Sequence, residues 1–325
     1  MFKMQFKATI FCIIFICFTY SVAHCDIWVK GNTHTHTTLS DGDYSPENAV
    51  KWYKSHGYQF LVLSDHYAVA PDEFFTSNSD SSFVVIPGTE MHLLVNLGKF
   101  AVHCNSIGIG ITTPPQEYKD IGKSLVSLQK TAQKAGAIFQ VNHPSFHVLD
   151  PTAITHVNAP ALVEVYNHGT INSQFGLLAT AAFEQCYDEA LSAGRKLFCV
   201  ASDDTHHYNS SPDHPPGGGF IFVHVKKLSR QDILDSIRAG NFYASTGVEF
   251  TQCSSTGKSI AVKVKTTAGQ KYTIKFIGYE GKLLDEHNGS SATYRLKGGK
   301  SETYIRVKVV SSSGKFAWSQ PFWRK

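Results

Sequence analysis

The sequence predicts an α/β domain built mostly on parallel strands, followed by a small all-β module. Three observations predict it. From residue 27 to about 245, apolar runs of strand length alternate with helical patterns. After about Val248 the pattern becomes an apolar–polar alternation of period two with no helical stretch, which marks a small antiparallel sheet. Several strand-like runs of the first part end in residues that bind metals. The expected division is a leader at 1–23, the α/β domain at 24–248 and the β module at 249–325.

The first apolar run is Ile27-Trp28-Val29. Ser45-Pro46-Glu47 then supplies an N-cap, a first-turn proline and an acidic first turn; Ala49, Val50 and Tyr53 form an apolar face, and Gly57 stops the helix. Further strands read at 59–63, 83–86, 100–107, 138–141, 162–165, 197–201 and 220–225. Helices read at 124–135, closed by Gly136, at 179–192, closed by Gly194, and at 230–239, capped by Ser229 and closed by Gly240. In the module, the runs starting at Ile260, Tyr272 and Tyr304 alternate in and out between Gly, Ser and Asn turns. No repeat of solenoid or propeller period occurs. The Ser-, Pro- and Gly-rich stretch 203–219 is long enough to expect a functional loop.

A chain of 325 residues with 42% hydrophobic and 17% charged residues is a folded globular protein, not a disordered one. Residues 1–23 carry Lys3 and Lys7, an apolar run from Ala8 to Tyr20, and Ser21-Val22-Ala23, the pattern of a secretory signal. The run is shorter than the ~20 residues of a bilayer span, so export to the periplasm or the exterior is expected and no stable membrane span. The formal charge of +4 falls to +2 without those two lysines, which points to no nucleic-acid partner. The remaining cysteines, Cys25, Cys104, Cys186, Cys199 and Cys253, are odd in number and widely spaced, so no disulfide framework is read. Cys104 and Cys199 fit as small buried hydrophobes.

The chemistry starts at His34 and His36. Alternate residues of a strand end point the same way, so the two imidazoles can address one ion while Asp41 returns a carboxylate from the loop. Beyond later strands come Ser64-Asp65-His66, Gly88-Thr89-Glu90, Asn142-His143-Pro144 and Asp204-Thr205-His206. Strand ends of a parallel barrel converge on one face. His103 is the exception, because it lies inside its run.

From Asn32 to His207 this order of motifs resembles the polymerase and histidinol phosphatase (PHP) domain metallohydrolases, and the ending Tyr304-Ile305-Arg306-Val307, Gly314, Ala317-Trp318, Pro321 is similar to the tail of their CehA/McbA branch. The resemblance implies a distorted (β/α)7-type barrel followed by the β module. It implies nine metal ligands: His34, His36, Asp41, His66, Glu90, His103, His143, Asp204 and His206. Glu90 would bridge two ions, with His34, His36 and Asp204 on the first and His103 and His143 on the second. Asp41, His66 and His206 would make a third site. Imidazole with carboxylate suits Mn, Fe or Zn, two or three ions in all.

The expected function is a secreted metal-dependent hydrolase, foremost a phosphoesterase acting on a small-molecule phosphorylated ester, with a hydroxide between two metals as nucleophile. Glu90, His206 and His207 are the candidate catalytic residues. A carbamate, ester or amide hydrolase on the same site, and a non-catalytic surface or carbohydrate-binding protein with structural metals, are the alternatives. Plainer readings stand beside some residues: His103 as a satisfied core histidine, Asp41 as a turn residue, Asp65 as a loop cap. His168 and His207 are candidates for substrate or proton-transfer work, and His92, His147 and His214 have no assigned role. Oligomeric state is not encoded in these motifs. Exported protein is expected to begin at His24 or within a few residues of it, which N-terminal sequencing reads directly; an intact Met1 on that material would contradict the leader.

Overall fold

The computed structural model describes residues 26–95, 100–144, 151–172, 178–209 and 214–324. The leader, Cys25 and His147 lie outside them. Strand β1 (Ile27–Asn32) pairs in parallel with β2 (Phe60–Leu63), and β2 in parallel with β3 (Val84–Val95). Helix α1 (Pro46–Ser55) joins β1 to β2; Ser45 Oγ accepts the Asn48 N–H at 3.3 Å and Pro46 presets the first turn. Helix α2 (Asp72–Ser77) was not read from sequence, because six residues carry too little periodicity to register.

Strand β4 (Phe100–Ile107) runs antiparallel both to β3 and to β5 (Ile138–Val141). This corrects the expectation of mostly parallel strands. A parallel crossover needs a dozen residues or more, and only residues 96–99 separate β3 from β4, so the chain turns back as a hairpin. Helix α3 (Ile121–Ala135) starts earlier than the expected 124 because Asp120 caps it, accepting the Lys123 N–H at 2.7 Å, while Gly136 closes it in the left-handed region. Parallel order resumes through β6 (Leu162–Asn167), helices α4 (His168–Asn172) and α5 (Leu178–Ser192), and β7 (Phe198–Ser202). Strand β8 (Phe220–Val225), helix α6 (Arg230–Ala239) and β9 (Phe242–Ser245) follow, with β8 antiparallel to β1 and to β9, which corrects the same expectation again.

The strand order is therefore β9-β8-β1-β2-β3-β4-β5-β6-β7. Past their ends, β1 and β7 meet. Thr35 bridges Thr205 in parallel, the His36 N–H donates to the Thr205 carbonyl at 2.9 Å, and the Asp204 N–H donates to the His34 carbonyl at 3.0 Å. The sheet curls until the segments leaving its first and last parallel strands hold each other, and the segments that follow β1, β2, β5 and β7 gather at one end.

The tail holds β10 (Phe250–Ser255), β11 (Ser259–Val264), β12 (Tyr272–Ile277), β13 (Leu283–Asn288), β14 (Ser291–Arg295), β15 (Tyr304–Ser311), β16 (Phe316–Trp318) and β17 (Phe322–Trp323). Every pairing among them is antiparallel. The tail does not stand apart: β16 pairs with β9, which extends the main sheet through β15, β12 and β13. Tyr304 and Trp318 belong to the same apolar core as Val200 and Ile221.

A buried ion network stitches this junction. Arg306 lies on β15, whose burial leaves its side chain 3% exposed, and it donates Nε to Asp188 Oδ1 at 2.7 Å and Nη2 to Asp188 Oδ2 at 2.6 Å. Glu184, one turn earlier on α5, stands 3.0 Å from Arg306 Nη2 and also pairs with Lys308. Burial pushes the Glu184 carboxyl up, but Arg306 and Lys308 outweigh it and hold the group below its ordinary value. A depressed carboxyl contributes stability above its unfolded value of 4.5, and that contribution is lost as pH falls through the folded value. Removing Arg306 leaves buried Asp188 without its cation and Glu184 with Lys308 alone. Arg306→Ala is expected to cost about 3–5 kcal/mol at neutral pH by urea denaturation. The difference from wild type should narrow as pH falls below 4.5, where wild type loses the same pairing.

Candidate metal centre

The residues beyond the strand ends carry their side chains to one place. His34 and His36 follow β1, His66 follows β2 and is bridged to Glu90, His143 follows β5, and Asp204 and His206 follow β7. Glu90 lies within β3, which runs on past its parallel neighbour. His103 is no longer an exception. Because β4 runs backwards, the middle of that strand lies beside the far half of β3, with His103 opposite His92 and Asn105 opposite Glu90.

Glu90 is the hub. Its Oε2 lies 3.0 Å from His36 Nε2, 3.2 Å from His34 Nε2 and 3.5 Å from His66 Nε2. Its Oε1 lies 3.1 Å from His103 Nδ1 and 3.5 Å from His143 Nε2, and accepts from Asn142 Nδ2 at 2.8 Å. The two oxygens of one buried carboxylate thus face two different sets of imidazoles. Asp204 Oδ1 sits 3.1 Å from His34 Nε2 and 3.2 Å from His36 Nε2. Asp41, half-exposed, approaches from the loop at 3.2 Å from His36 Nδ1, 3.4 Å from His206 Nε2 and 3.6 Å from His66 Nε2. Three groups of donor atoms result, each with its atoms within 4.8 Å of one another: His34, His36, Glu90 and Asp204; His36, Asp41, His66 and His206; His66, Glu90 and His103.

The donor set fits a cation. His34 gives its Nδ1–H to Glu164 at 2.8 Å and His36 faces Asp41 with Nδ1, so each neutral ring would turn a bare Nε2 inward. Those two nitrogens are 3.2 Å apart, and Asp204 Oδ1 beside them is buried without a hydrogen-bond partner. Four lone pairs converging in a dry site require positive charge among them. Without a metal, protons must supply it: burial opposes charge on His34, yet Asp204, Glu90 and Glu164 hold its imidazole well above the ordinary value. His36 is raised in the same way against its burial by Asp204, Asp41 and Glu90. Glu90 and Asp204 are held well below theirs, burial being outweighed by the imidazoles. His66, at the rim, is instead pushed down to about 4, by burial first and by the neighbouring His36 and His103, against Glu90 and Asp41.

A second tier orients these groups. Glu164, fully buried on β6, takes the Nδ1–H of His34, the backbone N–H of His143 at 2.7 Å, Asn167 Nδ2 at 2.8 Å, Gln140 Nε2 at 3.2 Å and the Ser202 hydroxyl. Sequence reading missed it. The signal was there, since a carboxylate in the otherwise apolar Leu162-Val163-Glu164-Val165 run must have buried partners. Asp65 fixes the first loop by accepting the Thr37 N–H at 2.7 Å and the Ser40 hydroxyl at 2.8 Å. Asp203 accepts the backbone N–H groups of Gly217, Gly218 and Gly219, each at 2.8 Å, and so pins the far end of the 203–219 loop.

His143, 3.5 Å from Glu90 Oε1 and 3.9 Å from Asp204 Oδ2, falls outside the three groups, as do the remaining candidates. His207 is turned toward Asp43, 3.8 Å away, and is well exposed. His92 sets its Nδ1 at 3.3 Å from His66 Nδ1, behind that ring. His214 packs edge-on to His206, and His168 lies against Tyr166. Cys104, Cys199 and Cys253 are free, the first two buried, and Cys186 is buried as well. Among the described residues no helix is long and apolar enough to cross a membrane.

No protein-family model matches the chain, and no curated protein matches it. Solved structures to which it is similar include PHP-like metal-dependent phosphoesterases. A two-domain protein containing a predicted PHP-like metal-dependent phosphoesterase, from Bacteroides vulgatus ATCC 8482, aligns over 87% of this chain and 90% of its own, with 17% identity and a TM-score of 0.47. A putative metal-dependent phosphoesterase from Bifidobacterium adolescentis ATCC 15703 aligns over 56% and 89%, with 13% identity and a TM-score of 0.40. An amidohydrolase from Chromobacterium violaceum, with bound sulfate and no metal, aligns over 55% and 87%, with 15% identity and a TM-score of 0.40.

Glu164 offers the test of the second tier. Glu164→Gln keeps the shape but turns an acceptor oxygen into a donor, which opposes one of the donors now facing it. Metal affinity is expected to fall by roughly 10- to 100-fold in competition with a chelator, with the circular dichroism spectrum unchanged.

Proposed function

We propose that this chain is an exported metal-dependent hydrolase of the PHP barrel type, CehA/McbA-like, and that its foremost activity is phosphoester hydrolysis. One observation carries the reading: the two oxygens of buried Glu90 face separate sets of imidazoles, the arrangement a carboxylate needs to join two cations. The order of motifs along the sequence supports the same assignment. Two or three divalent ions, Mn, Fe or Zn, would supply an activated water and would neutralise charge on the group under attack.

The chain's own part is to place and insulate that chemistry. His34, His36 and Asp204 form one wall of the site and His103 and His143 the other, with Glu90 between them. Asp41, His66 and His206 close the solvent side. Glu164 holds His34 in the tautomer that presents Nε2 inward, and Asn142 keeps Glu90 from rotating. His207, beside Asp43 and half open to solvent, is available to move a proton at the mouth.

No arginine lies between residues 32 and 168. Hydrolysis of a carbamate, carboxylic ester or amide, which presents less charge, is therefore the second reading. A panel of phosphomonoester, phosphodiester and carboxylic ester substrates on protein reconstituted in turn with Mn, Fe and Zn separates the two. In that panel Glu90→Gln should lose at least one equivalent of metal and at least ~10²-fold in kcat/KM, the scale of several kcal/mol of lost charge stabilisation, without unfolding. A Glu90→Gln protein with wild-type metal content, beside a folded wild type that turns over nothing, would sink the hydrolase reading.

A further inference from the structure

Gly218 lies just before β8 and Gly247 just after β9. Phe220 pairs with Ser245 and Ile221 with Ala244 in an antiparallel ladder, so the two glycines leave the sheet at the same edge. Each is roofed by one side chain. A Cβ on Gly218 would sit 2.1 Å from the His168 ring, so the imidazole lies directly on that backbone and only glycine leaves it room. The stem of Lys315 runs over Gly247, with Cγ 3.4 Å from where a Cβ would be. His168 and Lys315 thus stand on adjacent backbone strips, one from the α/β domain and one from the tail.

That rim is tied to the metal centre. Gly218 bonds the carboxylate of Asp203, the residue before Asp204. Gly169, next to His168, donates its N–H to the Asp203 carbonyl at 2.8 Å, and a Cβ there would lie 2.9 Å from the Asp204 carbonyl oxygen. His168 Nδ1 is 3.1 Å from the Tyr166 hydroxyl, and the Tyr166 ring lies 6.5 Å from that of Phe316, the neighbour of Lys315. Phe316 is itself clamped to the end of β9: its N–H donates to Thr246 Oγ1 at 2.7 Å and its carbonyl accepts the Thr246 N–H at 2.9 Å. The ammonium at the end of this chain of contacts is exposed and forms no ion pair among the described residues. Burial holds His168 below the ordinary imidazole value, with Lys315 and His214 adding to the lowering against Asp203.

We propose that Lys315, carried in by the tail, and His168 form an anion-recognising rim on the metal centre, which selects an anionic ester, in class a phosphomonoester, over a neutral one. This inference rests on the hydrolase reading. It adds a cation from the tail to a site whose segment 32–168 has no arginine, and it gives the tail a part in substrate choice. A phosphomonoester carries close to two negative charges at neutral pH, and an exposed lysine attracts it in a way that salt screens over a Debye length of about 8 Å.

The test is calorimetric titration of the metal-loaded full chain with inorganic phosphate, beside kcat/KM for a phosphomonoester and a carboxylic ester. Lys315→Ala should weaken phosphate binding by roughly 2- to 10-fold at low salt, Lys315→Glu should weaken it further, and Lys315→Arg should restore it. High salt should shrink the loss, and Lys258→Ala, at an exposed lysine elsewhere on the tail, should show none. The ratio of phosphomonoester to carboxylic ester kcat/KM should fall in step. Phosphate binding that is equal in wild type, Lys315→Ala and Lys315→Glu overturns the rim and leaves the hydrolase reading in place. So does a wild type that cleaves carboxylic esters but binds no phosphate. A metal-loaded wild type that neither binds phosphate nor cleaves any ester overturns both.

Discussion

The carboxylate of Glu90 is buried with five imidazoles within 3.5 Å of its two oxygens, and the rest of the molecule is arranged to make that tolerable. A polar cluster of this density, taken out of water, is stable only if positive charge sits among its lone pairs. Protons can provide some of it, which is why the carboxylates raise His34 and His36 and the imidazoles depress Glu90 and Asp204. Divalent ions provide it with better geometry, and protons and metal then compete for the same nitrogens.

Bringing so many donors together is a problem of chain direction. Parallel strands deliver the residues beyond their ends to one edge of the sheet, and that accounts for His34, His36, His66, His143, Asp204 and His206. Glu90 and His103 come instead from strand interiors. They reach the same place because β3 overruns its neighbour and β4 returns along it, so the reversed hairpin is part of how the site is built. The bridge between Thr35 and Thr205 completes the closure by fixing the segment after β1 against the segment after β7. Three buried carboxylates, Asp65, Asp203 and Glu164, then hold the loops and the His34 ring from behind.

Much of this was legible in the sequence. Caps at Ser45 and Ser229 and the glycine stops at 136 and 240 are local devices, so the helices they bound could be read without tertiary information. The strands at 100–107, 138–141 and 220–225 have the observed bounds. The direction of β4 was not legible from composition, because a strand reads the same whichever way it runs; only the short gap before it held the information. The nine residues expected as ligands were picked out by their order along the chain, and the structure sets each of them within 4 Å of another. Glu164 escaped because a lone acid in an apolar run has no spacing pattern. The position of Lys315 beside Gly247 escaped because it depends on a pairing between β9 and β16, two strands some seventy residues apart.

The arrangement makes one claim above the others, that Glu90 joins two cations. It is tested most directly by anomalous diffraction at the metal edge from crystals grown with Mn. The account predicts at least two peaks, one among His34, His36, Asp204 and Glu90 and one beside Glu90 and His103, each in contact with a different oxygen of the Glu90 carboxylate. Anomalous peaks confined to other parts of a well-ordered molecule, with Glu90 in contact with none, would contradict it.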